Sequence, residues 1–208
     1  MFRVADAILL LPLTVFLPPL FAWSHADPIA QREGLPLADG FDFPVGTPNG
    51  SGYYDAQPFR KNGHLGEDWN GNGGGNTDLG DPIYTIAHGV VTFADDLGGG
   101  WGNVVRVAHA YVDDNGEVAH VESFYAHLDT MTVREGQVLR RGNQVGTIGD
   151  ANGHYIAHLH FELRDTIGLP HGPGYSDDFT GYLNPKKFIR AHRPPVQAKR
   201  TTRHTPPD

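Results

Sequence analysis

The sequence predicts a mainly β protein, an antiparallel β-sheet domain with a groove and one short helix near its end. It contains 27 glycines and 16 prolines among 208 residues, which disfavours a helical bundle and favours short strands joined by turns. From residue 82 onward, short β-branched runs recur at a spacing of about 10 residues, which is typical of antiparallel sheets. The hydrophobic fraction of 39% is sufficient for the packed core of one domain.

The elements of this sheet can be assigned in chain order. Residues 49–76 are rich in glycine and polar side chains and are interpreted as loop. Six strands are predicted after it, namely Ile83–Ala87, Val90–Ala94, Asn103–Ala108, Val118–His127, Gln144–Gly149 and His158–Arg164. Turn-forming sequences such as DLGGGWG, VDDNG and DANG separate these runs. The segment NPKKFIR at 184–190 predicts a short terminal helix.

The first 26 residues have the pattern of an export signal. Arg3 is followed by 17 uncharged apolar residues, and small residues precede a cleavage position before Asp27. A transmembrane anchor is the alternative, but this run is short for a membrane span and three prolines interrupt it. We therefore expect a periplasmic or extracellular protein that does not contact the membrane once the signal has been removed.

The rest of the chain divides by composition and charge. Residues 27–48 are interpreted as a polar lead-in, 49–190 as the main domain and 191–208 as a basic, proline-rich disordered tail. The net charge of −8 is the sum of two unlike segments. Residues Asp27–Pro185 have eight Lys/Arg against 22 Asp/Glu and a net charge of −14, whereas the terminal stretch Lys186–Asp208 has a net charge of +6. The acidic body argues against nucleic acid as a partner, and we expect a monomer. The tail either holds the protein near an anionic cell wall or is simply solvated.

The chain has 12 histidines and no cysteine. The absence of cysteine excludes a disulfide scaffold, a thiolate zinc site, an iron–sulfur cluster and a cysteine nucleophile. Metal binding by imidazole and carboxylate remains open. Five histidines without a partner at metal-ligand spacing are interpreted as structural or solvated: His88, His109, His120, His154 and His171.

Three clusters have residues that could bind metal. His64 and Asp68 lie four apart in a glycine-containing turn, which can bring both side chains to one point. His158 and His160 are two apart in a predicted strand and therefore share a face. His127 ends another strand. Each cluster alone is a weak signal. Together they supply four imidazoles and one carboxylate, which is more than the three protein ligands of a catalytic zinc site. The surplus imidazoles favour hydrolysis over a closed structural site.

The blocks HLGED at 64–68, YAHL at 125–128 and HLHFEL at 158–163 resemble the signature blocks of the lysostaphin-type (LytM-like) zinc metallo-endopeptidases, which cut peptide bonds in bacterial peptidoglycan. The similarity runs in order from about Gly63 to Arg164. It implies a Zn²⁺ cofactor, a peptidoglycan peptide as substrate and the lysostaphin-type sheet with its catalytic groove. The peptide bond that is cut stays open.

The resemblance also implies roles for single residues. The zinc ligands would be His64, Asp68 and His160, and the catalytic groups would be His127, His158 and, as a donor to a developing oxyanion, Tyr125. Glu162 either orients a ligand imidazole or is an exposed strand carboxylate. The insertion at 71–80 is longer than the family's usual linker and leaves the shape of the groove open.

Three alternatives compete with an endopeptidase. Regulators of wall hydrolases share this fold but have lost zinc ligands, whereas all five key positions are intact here. A cupin-like metal oxygenase also uses an HxH strand, but Glu162 is too close to it and little sheet-forming sequence follows Arg164. A β-domain that only binds wall glycan gives no reason to assemble these five residues.

Overall fold

The computed structural model describes residues 34–194. The expected export signal, the first part of the lead-in and the tail from residue 195 onward lie outside the described residues. Between residues 34 and 194, none of the helices has the length and apolar character needed to cross a bilayer.

Antiparallel strands dominate the described part of the chain. They are β1 (Tyr53–Gln57), β2 (Glu67–Gly71), β3 (Pro82–Tyr84), β4 (Gly89–Asp96), β5 (Asn103–Val112), β6 (Val118–Met131), β7 (Val138–Leu139), β8 (Gln144–Ile148), β9 (Leu159–Arg164) and β10 (Tyr182–Leu183). The helix α1 spans Pro185–Ala191, a 3₁₀ turn spans Lys61–Gly63 and a single wide turn spans Gly46–Gly50.

The strands form one mixed-length antiparallel sheet with the hydrogen-bonded path β1-β2-β9-β6-β5-β4-β7. Strand β10 pairs with β9, while β8 pairs with β6 and with β3. Strand β9, late in the chain, therefore lies between the early strand β2 and the central strand β6. The predicted fold class is confirmed, and the topology places residues that are far apart in sequence on neighbouring strands.

The centre of the sheet has one apolar and one polar face. On β9, Leu159, Phe161 and Leu163 are buried in the main hydrophobic core. The alternate residues His160 and Glu162 point to the other face and are also buried. The functional side chains therefore lie on the polar face, supported from behind by the core.

The six predicted strands are all present with shifted ends, as β3, β4, β5, β6, β8 and β9. The interpretation of 49–76 as loop is wrong, because β1 and β2 lie within it. Their sequences, YYDAQ and EDWNG, contain no β-branched residue, so propensity gives little sign of a strand. Pairing of β2 with β9 supplies the stabilisation that local sequence lacks.

The described part of the lead-in is not a polar appendage, which corrects the expectation for residues 27–48. Phe41, Phe43 and Val45 are buried in the main core. The backbone N–H of Phe41 also donates to the carbonyl of His192 at 2.9 Å, so the first residues of the expected tail are packed as well. The alternation of apolar residues at 41, 43 and 45 is a strand-like pattern that composition alone conceals.

The predicted terminal helix is present as α1. The side chain of Asn184 accepts a hydrogen bond from the backbone N–H of Lys187 at 2.8 Å and so caps the helix. Pro185 occupies the first turn, where its missing N–H is not needed. Ile189 is buried and fixes the helix against the core.

Candidate active site

The three candidate metal ligands lie at the junction of β2 and β9. Asp68 pairs directly with His160 in the register of these strands, and His64 follows the 3₁₀ turn that precedes β2. Between them, a Cβ atom on Gly66 would lie 2.6 Å from the carbonyl oxygen of Phe161. The glycine of HLGED is therefore needed for the close approach of this turn to β9.

The ligand atoms form a compact triangle. His64 Nε2 is 3.1 Å from His160 Nδ1 and 3.3 Å from Asp68 Oδ1. His160 Nδ1 is 3.0 Å from Asp68 Oδ1. Zinc bound at 2.0–2.1 Å in a tetrahedron separates its nitrogen and oxygen ligands by about 3.3 Å. The donor set and its spacing therefore fit zinc with one open position.

Hydrogen bonds at the far side of each ring leave these atoms able to bind a metal. His64 Nδ1 lies 3.0 Å from the carbonyl oxygen of Gln57, which can only accept, so Nδ1 carries the hydrogen and Nε2 keeps its lone pair. His160 Nε2 lies 3.1 Å from Glu162 Oε1, which leaves the lone pair on Nδ1. The two imidazoles would therefore bind through different nitrogens, each oriented by an acceptor.

The electrostatics of this cluster favour a cation. Burial alone would raise the pKa of Asp68, but the adjacent rings of His160 and His64 outweigh it and hold that pKa well below its usual range. Burial opposes a charged His160, but the adjacent carboxylates of Asp68 and Glu162 raise its pKa to about 9. Two carboxylates thus stabilise positive charge at the point where the three ligand atoms converge.

Glu162 is the buried partner of His160 rather than an exposed strand carboxylate. Its side chain has no solvent exposure. Its Oε1 contacts His160, and its Oε2 accepts from Arg164 Nε at 2.9 Å and Nη2 at 2.6 Å. The guanidinium of Arg164 lies 4.2 Å from the centre of the Phe124 ring. Glu162 is therefore held in place on both sides, as an orienting carboxylate requires.

His127 and His158 lie beside the triangle without joining it. Their ring centres are 4.8 Å apart, and that of His127 is 5.5 Å from His160. Each Nδ1 faces a backbone carbonyl, of Trp101 at 3.2 Å and of Ile156 at 2.7 Å respectively. In the neutral form of each ring, Nε2 therefore carries the lone pair. Burial, followed by the nearby His160 and His158, lowers the pKa of His127 to about 3, which keeps that ring neutral.

These residues open into a cavity of about 650 Å³. Its walls include the exposed or half-buried aromatic side chains Tyr54, Trp101, Tyr155 and Tyr175. From the insertion, Gly75 contributes to one wall. Of the part of the lead-in that is described, residues 34–48, none lines this cavity.

The structure does not bring Tyr125 to this site, which corrects its expected role as an oxyanion donor. Tyr125 is paired with Phe161 and lies on the core face of the sheet, opposite to His160. It is fully buried, and its hydroxyl accepts the backbone N–H of Ile86 at 3.1 Å. The motif resemblance misplaces it because residues 125 and 127 share a face only while the strand is regular. His127 has a positive φ of 64°, which re-aims its ring.

Two of the groove aromatics, Tyr155 and Tyr175, have no sequence signal that identifies them. Tyr155 packs 4.9 Å from His127, ring centre to ring centre, and Tyr175 packs 5.2 Å from His64. Tyr175 also accepts a hydrogen bond from Gln57 Nε2 at 2.9 Å. Both lie in irregular segments with no periodic pattern, and Tyr175 falls beyond the motif region, so only their proximity in the fold identifies them.

Comparison with known proteins places this site in a family. The model of peptidase family M23 matches residues 63–173, more than half of the chain. Lipoprotein NlpD of Yersinia enterocolitica is 38% identical over 85 residues, which cover 41% of this chain and 78% of that protein. Murein hydrolase activator NlpD of Escherichia coli K12 is also 38% identical, but the chain spans only 20% of its length. Cell division protein DipM of Caulobacter vibrioides is 35% identical, with 13% of its length covered.

Solved structures of the same type are similar in fold. The catalytic domain of the prophage-encoded M23 protein EnpA from Enterococcus faecalis, an A109H mutant, is 21% identical, with a TM-score of 0.49 over 70% of this chain and 95% of that chain. The catalytic domain of lysostaphin from Staphylococcus simulans is 24% identical, with a TM-score of 0.43 over 66% of this chain and 88% of that chain.

Proposed function

Because the chain belongs to peptidase family M23, we propose that it is an exported zinc-dependent endopeptidase that hydrolyses peptide bonds in the cross-links of bacterial peptidoglycan. The observation that carries this proposal is the triangle of His64 Nε2, Asp68 Oδ1 and His160 Nδ1, with edges of 3.0–3.3 Å. It lies at the base of an open cavity with two further imidazoles, those of His127 and His158, at its side.

In this proposal His64, Asp68 and His160 hold the zinc ion. Zinc bound there supplies Lewis acidity, which lowers the pKa of water and polarises a carbonyl group. The hydrogen bonds from His64 to Gln57 and from His160 to Glu162 fix the two rings in the tautomers that metal binding needs.

His127 and His158 handle protons. Each lines the cavity and has its Nδ1 facing a backbone carbonyl, so either ring can accept the proton of the attacking water at Nε2 and return it to the leaving amine. The carbonyl groups of Trp101 and Ile156 orient the rings through their Nδ1 atoms. The aromatic side chains that line the cavity provide its contact surface for the peptide.

A second candidate function is supported by the relatives. A chain 38% identical over the matched region is named a murein hydrolase activator. In that role the cavity would bind wall or hydrolase without cutting a peptide bond. The presence of all three ligand residues and both proton-handling histidines favours the peptidase, because an activator does not need them.

The test is digestion of purified peptidoglycan by the zinc-loaded protein, with mass spectrometry of the released muropeptides. We expect products with a newly cut peptide cross-link, and no such products after zinc has been removed. His64→Ala and His160→Ala should lose both zinc and activity. His127→Ala should keep zinc and lose about 10²–10⁴-fold in turnover, whereas the exposed His171→Ala should retain both.

Two outcomes would contradict this proposal. Loss of zinc from His127→Ala would show that the division between ligands and proton-handling residues is wrong. A zinc-loaded protein that cuts no cross-link, yet increases the release of wall material by an added murein hydrolase, would establish the activator instead.

A further inference from the structure

The insertion that follows β2 forms a second cavity, separate from the zinc triangle. This cavity has a volume of about 370 Å³ and is lined by residues of β1, the end of β2 and the insertion, including Tyr53, Asn72, Thr77, Asp78 and Asp81. The insertion is folded by successive turns, among them Thr77 N–H to the Gly74 carbonyl and Asp81 N–H to the Asp78 carbonyl at 2.9 Å. Its oxygen-bearing side chains are therefore gathered in one place.

Asp78 is the unusual member of this group. Its side chain is 2% exposed, and Oδ2 accepts the backbone N–H of Gly71 at 2.8 Å. Its other oxygen, Oδ1, is buried and has no hydrogen-bond partner among the described residues. Burying half of a carboxylate without a partner is costly, so such an atom marks a place where a ligand belongs.

Asp78 differs from two other buried carboxylates in having no basic partner in the described part of the chain. Asp42 and Asp55 also have one oxygen without a hydrogen bond, but each forms an ion pair with a basic side chain, Arg141 and Lys186 respectively. Within residues 34–194, Asp78 takes part in no ion pair, and no Lys or Arg lines its cavity. The positive charge that stabilises the other two carboxylates is missing here.

A second carboxylate shares the cavity. Asp81 Oδ2 accepts a hydrogen bond from the hydroxyl of Tyr53 at 2.6 Å. Burial, then the charge of Asp81 and that of Asp78, raise the pKa of Tyr53 well above its usual value, which is consistent with two carboxylates near one phenol. Two negative charges thus surround a cavity with additional amide and hydroxyl oxygens.

We propose that the cavity between β1 and the segment formed by the insertion 71–80 and Asp81 binds a calcium ion through the carboxylates of Asp78 and Asp81. Calcium is favoured over zinc because every side-chain donor in the cavity is an oxygen, and Ca²⁺ takes six to eight oxygen ligands in flexible geometry. Mg²⁺ demands a near-ideal octahedron, which an irregular glycine-rich loop does not impose. The remaining ligands would be Thr77, Asn72, backbone carbonyls and water.

Calcium at this position would rigidify one wall of the active-site cavity. Asn76 Oδ1 accepts the backbone N–H of Ala157 at 2.9 Å, next to His158. Asn70 Nδ2 donates to the carbonyl of the same Ala157 at 3.2 Å, and Gly75 lines the active-site cavity. The insertion therefore links the proposed calcium site to the groove, although calcium binding itself does not depend on the proposed peptidase activity.

The test uses the full chain loaded with zinc, so that the triangle is already occupied. Terbium luminescence excited through Tyr53 reports occupancy of the second cavity, and Ca²⁺ displaces terbium in competition. We expect saturable Ca²⁺ binding with a dissociation constant of about 1 mM or below and a clear preference over Mg²⁺. Asp78→Asn keeps the shape of the side chain and should weaken Ca²⁺ binding at least about tenfold, because ligand charge sets affinity.

Two more variants serve as the control and as a second test of the calcium site. Asp114→Asn removes an exposed carboxylate in the hairpin between β5 and β6 and should bind Ca²⁺ like the unaltered protein. Asp81→Asn changes a less buried residue and provides a second variant if Asp78→Asn fails to fold. Absence of saturable Ca²⁺ binding up to about 10 mM, equal affinity for Mg²⁺, or unchanged binding in both variants would overturn the proposal. The zinc content, measured in parallel, should not change.

Discussion

His109 makes the stability of the sheet depend on pH in a way that can be calculated. It lies in β5 and is completely buried, with Nδ1 2.9 Å from the carbonyl oxygen of His88 and Nε2 2.8 Å from Ser123 Oγ. The carbonyl accepts only, so the neutral ring donates from Nδ1 and accepts at Nε2. Burial lowers the pKa of His109 from 6.5 to about 4.

The lowered pKa of His109 makes the protein less stable at low pH. The unfolded chain binds a proton at His109 below pH 6.5, while the folded chain resists it until about pH 4. The free energy of unfolding is therefore unaffected at pH 7 and falls as the pH decreases through this window. The loss from this one group amounts to about 2 kcal/mol at pH 5 and about 3 kcal/mol at pH 4.

Urea unfolding of the unaltered protein and of His109→Gln, at pH 7, 6, 5 and 4, isolates this contribution. Glutamine can still donate to the His88 carbonyl but does not titrate, and zinc release at low pH affects both proteins alike. The stability advantage of the unaltered protein over the variant should therefore shrink by about 2 kcal/mol between pH 7 and pH 5. A difference that stays constant within about 0.5 kcal/mol over this range would refute the assignment of a buried, neutral His109.

Three further predictions concern the site and the helix. Glu162→Gln removes the charge that orients His160 and should raise the dissociation constant of zinc about 10–100-fold, as measured by competition with a chromophoric chelator. The control is Glu122→Gln, which changes a buried glutamate on the adjacent strand that does not contact His160 and should leave zinc affinity unchanged. Gly66→Ala places a Cβ atom 2.6 Å from the Phe161 carbonyl oxygen and should therefore lower zinc affinity. If the variant has normal zinc content and a normal melting temperature, the turn can relax to accommodate the added atom. Asn184→Ala removes the cap of α1 and should lower the free energy of unfolding by about 1 kcal/mol in urea titrations; no loss of stability would mean that the cap is replaced by water.

Strands with high β-propensity in their own residues could be predicted from the sequence. Strands that are stabilised mainly by pairing with neighbouring strands could not. Strands β5 and β6 contain several β-branched and aromatic residues within long runs, so they can be predicted from local sequence. Strand β2 contains Trp69 between polar residues and a terminal glycine, and its pairing with β1 and β9 makes it a strand. Long-range pairing of this kind cannot be predicted from a local window.

The grouping of His64, Asp68 and His160 could be predicted only through the resemblance of their sequence blocks to a known family, because each block alone is a weak signal. The orienting role of Glu162 could be only half predicted, since the strand pattern gives its direction but not its burial. Tyr125 shows the limit: the motif places it beside His127, while the positive φ of His127 separates the directions of the two side chains. Backbone irregularity at a functional residue is the information that a one-dimensional pattern lacks.

The register of β2 against β9 determines when the three candidate metal ligands can come together during folding. A chain synthesised from its amino terminus exposes His64 and Asp68 long before His160, which is 92 residues beyond Asp68. His64 and Asp68 supply two of the three candidate ligands, and the third is in place only after β9 has inserted between β2 and β6. The candidate site is therefore completed at a late step of folding, and a nascent chain interrupted before β9 has two of its three residues.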